Sequence, residues 1–324
     1  MSPRGRLARK VFKTFLPLLL VIVYAVVFLT AWIVYGITRP PRAPYRVTPQ
    51  TFAKVTSPLL NASDATWKNH DGTDARGWLI KGADGAPGVI LLHHYGADRS
   101  WLLNLAVKLN ESTNFTVLWP DLRGHGENPP VSWSLLGSVD GEDAIAAIEY
   151  LRGLKTNAGQ SQVSRIGIYG VELGSYAALN AAGRNHEVRA LALDSVPASP
   201  DDLVKNATDT WSGMNNSTIL GKFLSPIFHG FAVIGVRVYG LGKFQSTLSC
   251  DLARSLKDLR VFSLSGTAGD PWQPSSLEVA ACFNPPPEIK RDLPLTGANL
   301  PNAAPEQEES YDRPVIEFFD KALR

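Results

Sequence analysis

Cysteine is scarce in this 324-residue chain: there are two, Cys250 and Cys282, with no metal-ligand spacing between them. That excludes a cysteine-built metal centre. Outside the cytoplasm the pair can close one disulfide, and two separate buried thiols are the other reading. Basic charge is also scarce once the first 46 residues are set aside. Those residues hold eight Lys or Arg and no acidic side chain, leaving 24 basic against 30 acidic residues over 47–324, a net charge of −6. No basic stripe remains to follow a phosphate backbone, so nucleic acid is not an expected partner. No internal repeat and no low-complexity segment is present.

What is present begins with an uncharged run of 25 residues, 14–38, "TFLPLLLVIVYAVVFLTAWIVYGIT". A helix of that length reaches about 37 Å, enough to cross a hydrocarbon core of about 30 Å. The run is longer than the apolar region of a cleaved signal peptide and leaves through Trp32, Tyr35 and Arg39 instead of small residues, which favours an uncleaved anchor. Arg4, Arg6, Arg9, Lys10 and Lys13 precede it, against Arg39, Arg42 and Arg46 after it. The positive-inside rule therefore predicts a cytoplasmic basic segment, 1–13, a transmembrane anchor, 14–38, and an extracytoplasmic main domain. Residues 39–49, with four prolines, read as an extended spacer.

From about residue 50 to 324 strands and helices alternate. "ATWKNHDGTDARGWLIKG" predicts a hairpin turning at Asp71-Gly72. "GVILLHH", "TVLWPD", "RIGIYG", "ALALDS" and "RVFSLSG" read as buried strands separated by helical segments such as "DGEDAIAAIEYLRGL". This rhythm predicts an α/β domain with a mostly parallel sheet covered by helices on both faces. It lapses over about 196–258, which is read as a cap over the C-terminal edge of the sheet. Inside that insertion, "FLSPIFHGFAVIGV" (223–236) is uncharged but too short to span, so it is cap core or a surface touching lipid.

The chemistry is expected at "IGIYGVELGSYAAL", 166–179. Gly170-Val171-Glu172-Leu173-Gly174 between a strand and a helix has the form of a nucleophile elbow, whose central residue occupies a strained turn that needs small neighbours. Together with "GVILLHHYGADRS", "LWPDLRGHGEN" and "LSGTAGDPWQP", it makes residues 65–322 resemble the α/β-hydrolase superfamily, closest to its serine-aminopeptidase-like and small-esterase branches. The resemblance implies an α/β-hydrolase fold with a cap insertion and, at matching positions, a catalytic triad.

Two of the three triad positions are substituted. Glu172 stands where the resemblance implies serine, and Asp270 matches the acid. The loop expected to supply histidine, "LTGANLPNAAPEQEE", has none, and Asn299 is read as its occupant. The resemblance further implies an oxyanion loop of His93, His94 and Tyr95, with His94 in place of the usual glycine, and N–H groups of Tyr95 and Leu173 aimed at a developing oxyanion. A carboxylate can attack an ester, but release of the adduct needs a base that an asparagine amide cannot be. The expectation is a pseudoenzyme binding a small molecule, lipid or protein in the old pocket, with the bilayer as partner of the first helix and no cofactor. The alternative is an active ester or amide hydrolase that uses Glu172 with a non-standard base or metal. His94, Glu172, Asp270 and Asn299 are expected to converge, and a His/carboxylate set suits zinc or manganese, although no local ligand spacing supports a metal.

Overall fold

The computed structural model describes residues 3–55, 61–213, 218–240, 242–244 and 247–324. Residues 1–2 of the expected basic segment, 56–60 of the main domain, and 214–217, 241 and 245–246 of the expected cap lie outside the described residues. The chain opens with a 35-residue helix, α1 (Pro3–Ile37), whose stretch Phe12–Ile37 has a mean hydropathy of 2.6 and is long and apolar enough to cross a membrane. The last turns of α1 belong to the domain: Ile33 and Ile37 are fully buried, and Trp32 stands edge-to-face against Trp211.

The proline-rich segment that follows is extended, as its composition requires, but it lies along the domain. The Tyr45 hydroxyl donates to Asp121 (2.7 Å), its ring packs against Trp78, and the Arg46 N–H donates to Ser100 Oγ (3.2 Å). A short helix, α2 (Pro49–Val55), comes next. Strands β1 (Ala62–Lys68) and β2 (Asp74–Ile80) form the hairpin, closed by the Asn69 N–H to Thr73 carbonyl bond (2.8 Å).

Then β3 (Gly88–Leu92), α3 (Leu103–Thr113), β4 (Thr116–Pro120), α4 (Asp140–Gly153), β5 (Ile166–Val171), α5 (Leu173–Arg184) and β6 (Val188–Asp194) alternate. Every residue of β3, β4 and β5 is buried, which explains why these strands read as unbroken apolar runs instead of alternating ones. Helices α6 (Pro200–Ser212), α7 (Ile219–Tyr239) and α8 (Ser249–Ser255) occupy the insertion. The chain ends with β7 (Arg260–Gly266), α9 (Gln273–Ala280), β8 (Glu288–Leu293) and α10 (Pro305–Leu323).

The eight strands form one sheet in the order β1-β2-β4-β3-β5-β6-β7-β8, antiparallel at β1/β2 and β2/β4 and parallel elsewhere. One apolar core joins one face of the sheet to α4, α5, the cap and the end of α1, and a second joins the other face to α3 and α10. The Ala- and Gly-rich α5 is buried along most of its length, small side chains allowing close approach to the sheet. Cys250 in α8 and Cys282 just after α9 form a disulfide, which resolves the choice the sequence left open.

Chain order reverses between β3 and β5, because β4 lies on the far side of β3. The carboxyl ends of β3 and β5 therefore border the crevice at which open α/β sheets place their ligands. His93–Tyr95 leave β3 there, and Glu172 leaves β5.

Candidate functional site

The turn from β5 into α5 puts Glu172 at φ 51°, ψ −106°, outside the regions that a side chain with a Cβ readily adopts. Tight packing on both sides imposes it. A Cβ on Gly174 would overlap the Leu92 carbonyl oxygen, and one on Gly170 would overlap the Gly174 carbonyl. The Glu172 N–H donates to the Asp194 carbonyl (3.0 Å), and its own carbonyl accepts from the Ser175 and Tyr176 N–H groups (both 3.1 Å) and from Ser175 Oγ (2.7 Å). Ser175 is thereby spent on holding the turn.

Glu172 is buried, 4% exposed. Its Oε1 accepts a hydrogen bond from Asn206 Nδ2 of α6 (2.6 Å), and its Oε2 lies 3.9 Å from His94 Nδ1. Burial pushes its pKa up to about 8; the Asn206 amide opposes that shift and the nearby charge of Asp270 adds to it. At neutral pH Glu172 is mainly an uncharged acid. The cap closes over it through one amide.

His94 is the nearest imidazole, and its hydrogen bonding keeps it from acting on Glu172. Nδ1 donates to the Tyr95 carbonyl (2.8 Å), so this nitrogen holds the proton and the lone pair is on Nε2, which is buried without a partner. Burial and the neighbouring His93 lower its pKa to about 4, leaving the ring neutral. His93 bridges the loop: Nδ1 donates to the His94 carbonyl (2.8 Å), and Nε2 accepts from the Leu122 N–H (3.0 Å). The Tyr95 hydroxyl donates to the Ile37 carbonyl (2.9 Å), tying the same loop to the end of α1. Among the described hydrogen bonds, none uses the backbone N–H of Tyr95 or Leu173.

Asp270 sits in the turn after β7, close against Gly266, and its Oδ1 accepts from the Trp272 N–H (2.9 Å). Its Oδ2 is buried with no hydrogen-bond partner. Asn299 is exposed, and its Nδ2 donates to Thr296 Oγ1 (3.3 Å) within its own loop. The structure thus brings His94 to Glu172 and Asp270 within electrostatic range, while Asn299 makes no hydrogen bond to any of the three. Among the described residues, no group of three or more His, Cys, Asp or Glu side chains is arranged to hold a metal ion.

Three features escaped sequence reasoning. Asn206 is one; nothing local marks it, because its role depends on how α6 packs over the elbow. Asp194 is the second: fully buried at the end of β6, it accepts from Tyr311 Oη (2.6 Å), the Gly297 N–H (2.5 Å) and Ser195 Oγ (3.0 Å), and burial raises its pKa to about 6. It fastens the Thr296–Asn299 loop to the elbow, and an acid ending a buried strand was a readable signal. The third is a cap cluster, where His229 Nε2 lies 2.7 Å from Asp209 Oδ1 and 3.1 Å from Ser225 Oγ. One ring nitrogen serves both contacts, whereas a serine–histidine–acid relay needs two. The cluster braces α6 against α7.

A cleft of about 420 Å³ opens beside Asn206, between α6 and the Pro271–Glu278 segment, with Asp209, His229 and Trp272 in its walls. Asn206 both lines this cleft and donates to the Glu172 carboxyl. Asn206→Leu is expected to leave Glu172 Oε1 without a donor and to lower stability by about 1–3 kcal/mol, read as a reduced denaturation midpoint at unchanged m-value.

No protein-family model and no curated protein matches this sequence. Solved structures do match. An esterase from Pyrococcus furiosus superposes with a TM-score of 0.64 at 19% identity, over 88% of this chain and 100% of that one. A thermostable carboxyl esterase from Bacillus coagulans gives 0.59 at 11% identity, over 82% and 100%. An acetyl xylan esterase from Paenibacillus gives 0.53 at 20% identity, over 80% and 85%. With the sheet order, the switch-point crevice and the strained strand-to-helix turn already in place, these likenesses lead to one conclusion: the chain has the α/β-hydrolase fold.

Proposed function

We propose that this chain is a membrane-anchored protein that binds a ligand through a hydrolase-type pocket without turning it over by the usual acyl-transfer route. The observation that carries this reading is Glu172 itself: an elbow side chain that is buried and held by the Asn206 amide, a setting in which burial pushes the carboxyl pKa up. A pKa of about 8 leaves roughly a tenth of it ionised at pH 7. Attack by that fraction would still require a base to activate water in the second step. The unpartnered Asp270 Oδ2 is a site at which a histidine N–H would be expected in a working triad, and its lack of a donor supports the loss of that histidine. Asn299 is proposed as the position that lost it, on sequence order. Binding and an oxyanion hole alone give about 10³–10⁴-fold over water, small beside the 10⁶-fold and upward of ordinary enzymes.

The alternative, an active hydrolase with a non-standard base or a metal, draws support from the retained elbow strain and the uncommitted N–H groups of Tyr95 and Leu173. Hydrolysis of short-chain esters by the intact protein and by Glu172→Gln separates the two. Equal, near-background rates are expected.

The anchor reading is supported by the burial of Ile33 and Ile37 and by the Tyr95 contact with Ile37, since cleavage after α1 would strip the domain of part of its core. The Cys250–Cys282 disulfide suits an oxidising compartment. We therefore propose a cytoplasmic N-terminus and an extracytoplasmic domain, with the bilayer as the partner of α1 and a small molecule, lipid or protein as the pocket's ligand.

A further inference from the structure

Helix α7 carries an apolar stripe that the domain does not cover. Phe223 (73% exposed), Ile227 (52%), Ile234 (63%) and Val238 (67%) recur at four- and seven-residue spacing along one side of it. The opposite side, with Ser225, Ala232 and Val236, is buried against the domain. In water such a stripe is a liability.

The depth of α7 follows from what it touches. Gly235 packs against Thr30 and Val34 of α1 so closely that a Cβ would overlap both side chains. Thr30 and Val34 lie inside the apolar stretch Phe12–Ile37. Between the two helices runs a groove of about 510 Å³ whose walls include Val26, Val27, Ile234 and Val238, with Tyr35 and Arg39 also lining it. Val26 is eleven residues before Ile37, about 16 Å along the helix axis at 1.5 Å per residue. A groove reaching that far back along a spanning helix lies beside hydrocarbon. Arg39 is half-buried at the close of the apolar run, its guanidinium 3.8 Å from the centre of the Tyr35 ring. A guanidinium at that level meets phosphates.

We propose that α7 is embedded in the outer leaflet beside α1 and that the groove between them binds one phospholipid of the bilayer, an acyl chain along Val26, Val27, Ile234 and Val238 and its phosphate on Arg39. This rests on the reading of α1 as a membrane span and is independent of whether Glu172 is catalytic. Because α6 carries both Asn206, bonded to Glu172, and Trp211, packed on Trp32, the same helix joins the lipid-facing pair to the pocket roof.

The full chain in phosphatidylcholine nanodiscs doped with a phosphatidylcholine bearing a photoactivatable acyl chain tests this. Peptide mapping after irradiation is expected to find label on 26–35 and 234–239. Val238→Trp, which fills the groove from an exposed position, should cut that labelling at least five-fold while residues 15–22 of α1 label as before. Arg39→Gln should cut it several-fold. Labelling of 15–22 with none on 234–239 would put α7 in water and overturn the proposal. Equal groove labelling in Val238→Trp would mean bulk lipid only, overturning the groove as a site. No label on 15–22 would instead overturn the membrane span itself.

Discussion

Glu172→Gln is expected to flatten the dependence of stability on pH between about 4.5 and 8. The unfolded carboxyl releases its proton near 4.5 and the folded one near 8, so folding binds a proton between those values. The stability linked to this group is full below about pH 4.5, falls as pH rises, and levels off above about 8. Each unit of difference corresponds to about 1.4 kcal/mol, so the whole window is worth a few kcal/mol. Asp140, raised to about 7, and Asp194, raised to about 6, act in the same sense. They are present in both proteins, so the quantity to measure is the difference between the two denaturation profiles. A constant offset with pH would mean that Glu172 is ionised when folded.

Gly174→Ala is expected to cost about 3 kcal/mol or more, or to prevent accumulation of folded protein. The added methyl would meet the carbonyl oxygen of Leu92, a backbone atom of a fully buried strand with no side-chain freedom to yield. Gly153→Ala, at the end of α4 with nothing near its Cβ, is the matched control. It is expected to be neutral or to stabilise by about 0.5–1 kcal/mol through the unfolded chain. Urea denaturation of the two variants reads the contrast, and equal effects would mean that the elbow glycine is not there for close approach.

These two residues also mark how far the sequence could be read. The elbow was legible because it is local: a buried strand, two glycines and a helix within fourteen residues leave few other structures. The sheet was legible for the same reason, its central strands being uniformly apolar. The run of helices α6–α8 between β6 and β7 showed as a lapse in rhythm, but the packing of α6 did not, and so Asn206, the direct hydrogen-bond partner of Glu172, was missed. Asn299 shows the converse. Its place in chain order after β8 was readable, yet loop order does not fix side-chain direction, and the amide turns to Thr296 while Asp194 holds the loop through Gly297 and Tyr311. The prolines of 39–49 specified an extended backbone without specifying the surface it lies on. Tyr45 and Arg46, an aromatic and a cation within the spacer, were the hint of docking.

Helix α1, whatever its relation to a bilayer, also has a structural part in the domain. Tyr95, next to His94, donates to the Ile37 carbonyl at the end of α1, and the Ser134 N–H donates to the Thr38 carbonyl just beyond it (2.8 Å). The site is built partly on the end of that helix, which argues for studying the full chain in a bilayer.

Glu172 is proposed to be a held acid and not a nucleophile. The most direct test of this is steady-state hydrolysis of a series of short-chain esters by the full chain in nanodiscs, alongside Glu172→Gln, each with and without added zinc or manganese. The same near-background rate is expected in all four cases. Turnover well above background that is lost in Glu172→Gln would contradict it.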